Sequence, residues 1–194
     1  MKKQYILIGL AALLLLPVGG SAAIYAKTLT GITEVGNNSG FSNSAFEDML
    51  RSVGWTTNES WCMFFAKAVY LKAFPSLADQ IHRMSGSTQG TYDLVASGAL
   101  KDFEISQRPH RGDIAIWTHI NNPSQGHAGI VLHHALGVMR TVEGNASGAI
   151  GFAGDGDVVG RYDRPSAIGS IPKNTTLKLK GFIHRKSWLD RLIS

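Results

Sequence analysis

The hydrophobic period of this chain changes once, near residue 100, and that change restricts the fold more than any other feature. Before it, apolar residues recur at helical spacing. "NSAFEDMLRSVG" (43–54) reads as a short amphipathic helix. Ser44 is placed as its N-cap, Glu47 sits three residues on as in a capping box, and Gly54 lies at its end. "WCMFFAKAVYLKAF" (61–74) reads as a buried helix, apolar over more than one face and stopped by Pro75. Residues 76–98 read as helix interrupted at Gly86 and Gly90. Beyond residue 100 come "DIAIW", "HAGIVLHH", "GVMRTVEGN", "DVVGRYD" and "LKLKGFIHR", short β-branched segments separated by turn residues. Helices first and an antiparallel sheet after is an α+β plan, not a series of alternating β-α units.

The N-terminus sets the compartment. Lys2 and Lys3 precede the apolar run "YILIGLAALLLLPV" (5–18), and "GGSAAIYA" follows. This is the pattern of a charged region, an apolar region and small residues suited to signal peptidase. Ser21 and Ala23 fill the two small-residue subsites for cleavage after Ala23. Cleavage after Ala26 puts Ile24 at the less suitable position. The apolar run is short for a membrane span, but counted through Ala26 it approaches spanning length, which makes a retained anchor the alternative. Residues 1–26 are thus a signal peptide or N-terminal membrane anchor. Residues 27–42, ending in "GNNSGFS", read as a linker, and 43–194 as one domain. Either way the body of the protein is expected outside the cytoplasm, in the periplasm, cell envelope or medium, with membrane association through the N-terminal segment if it is retained. The chain has 19 Lys and Arg against 14 Asp and Glu, a formal charge of +5. Such a field favours anionic surfaces. The basic residues form no stripe, so a nucleic-acid partner is not expected. The sequence carries no sign of oligomeric state.

Export bears on Cys62, the only cysteine. A free cysteine ordinarily packs as a small apolar group. Exported chains, however, use cysteines in pairs, and a single one points to a free reactive thiol. A cysteine nucleophile needs a base, and the base needs an orienting group. A helix N-terminus favours a thiolate, and Ser60 as N-cap would put Cys62 in the first turn. Of seven histidines, His82, His110 and His184 read as exposed surface, and His119 as part of a hairpin loop. His133 and His134 end a strand and point to opposite faces. His127, in "QGHAGIVL", heads a strand between Gly126 and Gly129, small neighbours that let another group approach closely. It is the candidate base. "RTVEGNAS" supplies Glu143 and Asn145, which share a face of an extended strand. Either can accept the imidazole N–H and fix its tautomer.

"WCMFFAKAVY", "RGDIAIW", "GHAGIVL" and "TVEGN", in that order, resemble the sequence blocks of the CHAP family, the cysteine, histidine-dependent amidohydrolases/peptidases. The likeness runs over roughly residues 34 to 185. It implies a papain-like, NlpC/P60-like fold, with N-terminal helices packed on an antiparallel sheet and the catalytic cysteine at a helix N-terminus. It implies Cys62 as nucleophile, His127 as base, Glu143 as orienting residue and Asn145 as an auxiliary polar group. It also implies hydrolysis of a peptidoglycan amide, in a stem peptide, a cross-bridge or at muramoyl-alanine, with no cofactor. Family members often carry proline and small residues around the cysteine. Here "ESWCMFF" brings Met63 and Phe64, which bears on the shape of the pocket.

Two other readings compete. A zinc hydrolase would use His119, His127 and His133 or His134, but no HExxH pair is present and Cys62 would have no role. A non-enzymatic wall-binding module of the same fold would keep the architecture without the chemistry. Two smaller motifs have simple explanations. In "RGDIAIW", Gly112 makes a turn, Asp113 caps it, and Ile114, Ile116 and Trp117 enter the core. "GDGD", with Asp155 and Asp157, lacks the ligand spacing of a calcium loop.

Overall fold

A computed structural model describes residues 20–146 and 158–187. Most of the leader, and Asp155 and Asp157 of the "GDGD" stretch, lie outside the described residues. Five α-helices precede a sheet among them: α1 (Gly20–Thr28), α2 (Ser44–Arg51), α3 (Cys62–Ala73), α4 (Ala78–Arg83) and α5 (Thr88–Ala96), with a 3-10 turn at Pro75–Leu77. Six strands follow: β1 (Phe103–Ser106), β2 (Ile114–His119), β3 (Gly126–Ala135), β4 (Val138–Ala146), β5 (Val158–Pro165) and β6 (Leu177–Arg185). All pairings are antiparallel, in the order β1-β6-β2-β3-β4-β5. The helices-then-sheet order expected from the change of period is the order observed. β1 is the strand that the periodicity did not reveal, being only four residues long.

Helix α3 is the hub. Nine of its twelve residues are buried, so it is surrounded rather than amphipathic. It packs on α1, α2 and α4, and on β3 and β4. Two of its buried polar groups are satisfied through the backbone. Lys67 Nζ donates to the Val53 carbonyl at 2.8 Å, and the Tyr70 hydroxyl donates to the Gly112 carbonyl at 2.8 Å. Alternation along the strands divides the apolar residues into two clusters. Ile114, Ile116, Ala128, Ile130 and Val142 join the helices. Ala115, Trp117, Val131, Met139, Leu177, Leu179 and Phe182 form a second cluster.

Three local expectations need correction. Asn43, not Ser44, caps α2. Its backbone is extended, and its side chain accepts the Phe46 N–H at 3.0 Å. Glu47 instead accepts the Phe41 N–H and pairs with Arg51. Ser60 does not cap α3: the cap position is Trp61, with no side-chain cap bond, and the helix starts at Cys62. Trp61 is held there because its ring packs edge-on against Phe41 and Phe46 and its Nε1 donates to Glu34 at 2.6 Å.

Residues 27–42 are also more than a tether. Gly31 and Val159 are joined at 2.9 Å, and Val159 and Ile32 at 2.8 Å. Thr33 bridges to Val158, and Glu34 to Phe41. Phe41 belongs to the core. Upstream, α1 packs on α3 and β3 and buries Ala22, Ala23 and Ala26. The small residues read as a peptidase recognition pattern therefore also serve as a packing surface.

Candidate active site

Cys62 occupies the first position of α3. The first backbone bond of the helix runs from the Phe65 N–H to the Trp61 carbonyl at 2.8 Å. The N–H groups of Cys62, Met63 and Phe64 therefore precede the ladder, and no side chain caps them. The helix end presents donors and a partial positive charge beside the thiol.

His127 sits second in β3, directly across from Trp117 of β2, with ring centroids 5.9 Å apart. Its side chain hydrogen-bonds Cys62. Its Nε2 contacts Glu143 Oε2 at 3.1 Å, which leaves Nδ1 as the ring nitrogen for the thiol. Glu143 lies on β4 opposite Gly129. Glycine is required there: a Cβ on residue 129 would come within 2.6 Å of Glu143 Cγ. The missing side chain is the space through which Glu143 reaches His127. Gly126 is equally constrained, since its Cβ would lie 2.2 Å from the Trp117 carbonyl oxygen and 2.4 Å from Gln89 Nε2. At Gly144 a Cβ would strike the Trp61 and Phe65 rings, so α3 approaches β4 closely just where Cys62 is presented.

Glu143 has no exposure to solvent and four donors. Arg164 Nε donates to Oε1 at 2.9 Å and its Nη2 to Oε2 at 2.7 Å. Thr141 Oγ1 donates to Oε1, and His127 completes the set. Burial alone would raise the carboxyl; the hydrogen bonds and charges of Arg164 and His127 outweigh it and hold Glu143 at about 2. Burial alone would likewise lower His127. Its hydrogen bonds to Cys62 and Glu143 and their negative charge outweigh that effect and raise it to about 9. A buried carboxylate with a full donor set is a stable anchor for an imidazolium. Arg164 is itself only 4% exposed, and its guanidinium lies 4.5 Å over the Tyr162 ring.

The structure thus brings Cys62, His127 and Glu143 into one hydrogen-bonded series and leaves Asn145 outside it. Asn145 has a left-handed backbone (φ 54) at the irregularity between Glu143 and Ala146, where β4 loses register with β5. Its Oδ1 is buried with no hydrogen-bond partner among the described residues. The shared face expected of residues 143 and 145 fails because this bulge breaks the two-residue alternation.

Sequence reasoning missed Arg164 and Thr141. The usable signal for Arg164 was indirect: a Glu placed in the interior requires a cation, and "VVGRYDRP" offers two on the next strand.

The three-histidine alternative does not assemble. His127 and His133 are six residues apart on β3, about 20 Å at strand rise. His119 Nε2 is engaged with Thr176 at 2.7 Å. A cleft of about 550 Å³, lined by residues including Lys27, Arg111, His133 and Arg161, has none of the three bonded residues in its wall. No family model matches the chain, and no curated protein is significantly similar to it.

Proposed function

We propose that this protein is an exported cysteine amidohydrolase of the CHAP type, papain-like in plan, that cleaves an amide of bacterial peptidoglycan. One observation carries the catalytic part: an unbroken hydrogen-bonded series from Cys62 through His127 to a buried, fully satisfied Glu143. The cell-wall substrate rests on the resemblance of the four sequence blocks and on the leader. The positive charge of +5 suits an anionic wall.

The chemistry is acyl transfer. The Cys62 sulfur attacks the amide carbonyl carbon and forms the C–S bond, while the carbonyl electron pair moves onto oxygen. N–H groups at the start of α3 hold that oxyanion. The intermediate collapses, the C–N bond breaks, and His127 gives its proton to the departing amine. Water then attacks the thioester and passes a proton to His127. The C–S bond breaks, the acyl group leaves as a carboxylic acid, and the sulfur departs as the thiolate beside the reprotonated His127, ready for the next attack. Glu143 keeps the imidazole ring in position and balances its charge through both steps. Arg164 and Thr141 act through Glu143 and are positioning residues. No cofactor takes part.

Digestion of purified peptidoglycan, read by mass spectrometry of the fragments, tests this reading. The wild type should release fragments with new amine and carboxyl ends at a single type of amide. Cys62→Ser should release none, and chelators should not inhibit. An active Cys62→Ser variant refutes the cysteine mechanism. Inactivity of both on walls of every stem-peptide and cross-bridge type favours the non-enzymatic wall-binding module.

A further inference from the structure

A second cluster of chemically able side chains lies away from Cys62 and plays no part in the hydrolysis. His110, Asp113 and His184 present one ligand atom each, all within 4.8 Å of one another. We propose that these three residues bind a divalent transition-metal ion of the zinc type, which ties the turn before β2 to strand β6. The proposal does not depend on the hydrolase reading.

Two independent features of the fold assemble the cluster. The first is the turn at His110–Asp113. Gly112 adopts φ +92, which glycine accepts without strain. The turn closes with the His110 N–H donating to Asp113 Oδ2 at 2.8 Å. This folds the His110 ring back, so that its Nδ1 lies 3.2 Å from the same oxygen. The second is the pairing of the interior strands β2 and β6. Ile114 of β2 lies opposite Ile183 of β6, which brings the neighbouring residues Asp113 and His184 together. His184 Nδ1 is 2.7 Å from Asp113 Oδ1.

The set suits zinc in type and spacing. Two imidazole nitrogens and one carboxylate oxygen form a common three-ligand zinc set, and that mixture disfavours magnesium and calcium, which prefer oxygen alone. Zinc bonds of about 2.0–2.2 Å in a tetrahedron place ligand atoms roughly 3.3–3.5 Å apart. The His110 Nδ1–Asp113 Oδ2 separation of 3.2 Å is already close to that spacing, and the His184 Nδ1–Asp113 Oδ1 separation of 2.7 Å must open by about 0.6–0.8 Å. Asp113 is 2% exposed and His184 17%, whereas His110 is 51% exposed. Two ligands are therefore held in the fold, and the third lies at the surface, where an ion can reach the cluster. The imidazole centroids are 4.6 Å apart.

Asp113 is four residues along the chain from Trp117, the residue opposite His127, or about 13 Å at strand rise. The metal's effect is therefore expected on the stability of the sheet. The test is titration of the full chain with zinc chloride by calorimetry, in detergent and without a polyhistidine tag. A Cys62→Ser background removes the thiol as a competing ligand. One site per chain should appear, and zinc should raise the melting temperature. His110→Ala, at an exposed turn position, should weaken the site at least ten-fold while circular dichroism stays native. His110→Ala/His184→Ala should abolish both the binding and the thermal shift. Absence of zinc binding by the parent overturns the proposal, as does equal affinity in a natively folded His110→Ala variant.

Discussion

Replacing Arg164 by Met keeps most of the side-chain volume and removes the cation from Glu143. The carboxylate then stays fully buried with two donors instead of four, those of His127 and Thr141. Removing one partner of a buried ion pair costs about 3–5 kcal/mol, because the remaining charge is left without compensation. Domains of this kind are stable by roughly 5–15 kcal/mol, so a large share of the total is at stake. At roughly 2–4 °C per kcal/mol for a chain of this size, the melting temperature should fall by about 6–20 °C. Glu143 should also lose its depressed titration and take up a proton more readily, which removes the charge facing the imidazolium. Urea and thermal unfolding followed by near-ultraviolet circular dichroism measure the stability term. A double-mutant cycle isolates its origin. In the Arg164→Met background, Glu143→Gln should cost far less than it does alone, since it removes the stranded charge. If Arg164→Met unfolds within about 1 kcal/mol of the wild type, or if the two substitutions add, Arg164 does not support Glu143 and the reasoning fails.

The remaining predictions concern the same series of residues and the helix before it. Iodoacetamide should alkylate Cys62 in the folded protein near neutral pH, and His127→Ala, which removes the cation beside the sulfur, should slow the reaction; labelling only after denaturation would return Cys62 to a packing role. In ¹H–¹³C NMR spectra the His127 imidazole should titrate near 9 in the wild type and markedly lower in Cys62→Ser. The stability that His127 contributes is therefore full below its unfolded value of about 6.5 and lost as pH rises through about 9. That of Glu143 is full above about 4.3 and lost as pH falls through about 2. Gly144→Ala should reduce the proposed hydrolysis and the stability together, because the new methyl must displace the Trp61 and Phe65 rings at the start of α3; wild-type values for both would show that this approach is not tight. Cleavage after Ala23 would remove Ala22 and Ala23, each at most 1% exposed, so intact-mass measurement of the protein recovered from its cells should find these residues retained, and a mature chain beginning at Ile24 would contradict the packing of α1.

Several features were legible in the sequence because their physics is local. A helix and a strand differ in hydrophobic period, so the order of helices and strands could be read without coordinates. Cys62 opening a helix, and His127 and Glu143 on strands, follow from the same patterns together with glycines and proline. Other features depend on which strands become neighbours. Arg164 reaches Glu143 because β5 pairs with β4. His184 meets Asp113 because β6 pairs with β2, and a histidine read as exposed surface is thereby half buried against a carboxylate. Residues 27–42 look like a linker by composition, but they extend the sheet because Val158 and Val159 offer them a free edge. The choice of Glu143 over Asn145 turned on a bulge that no spacing rule shows. Periodicity records which side of an element is apolar. It does not record which distant element covers that side, and a buried charge is satisfied only by what tertiary packing brings to it.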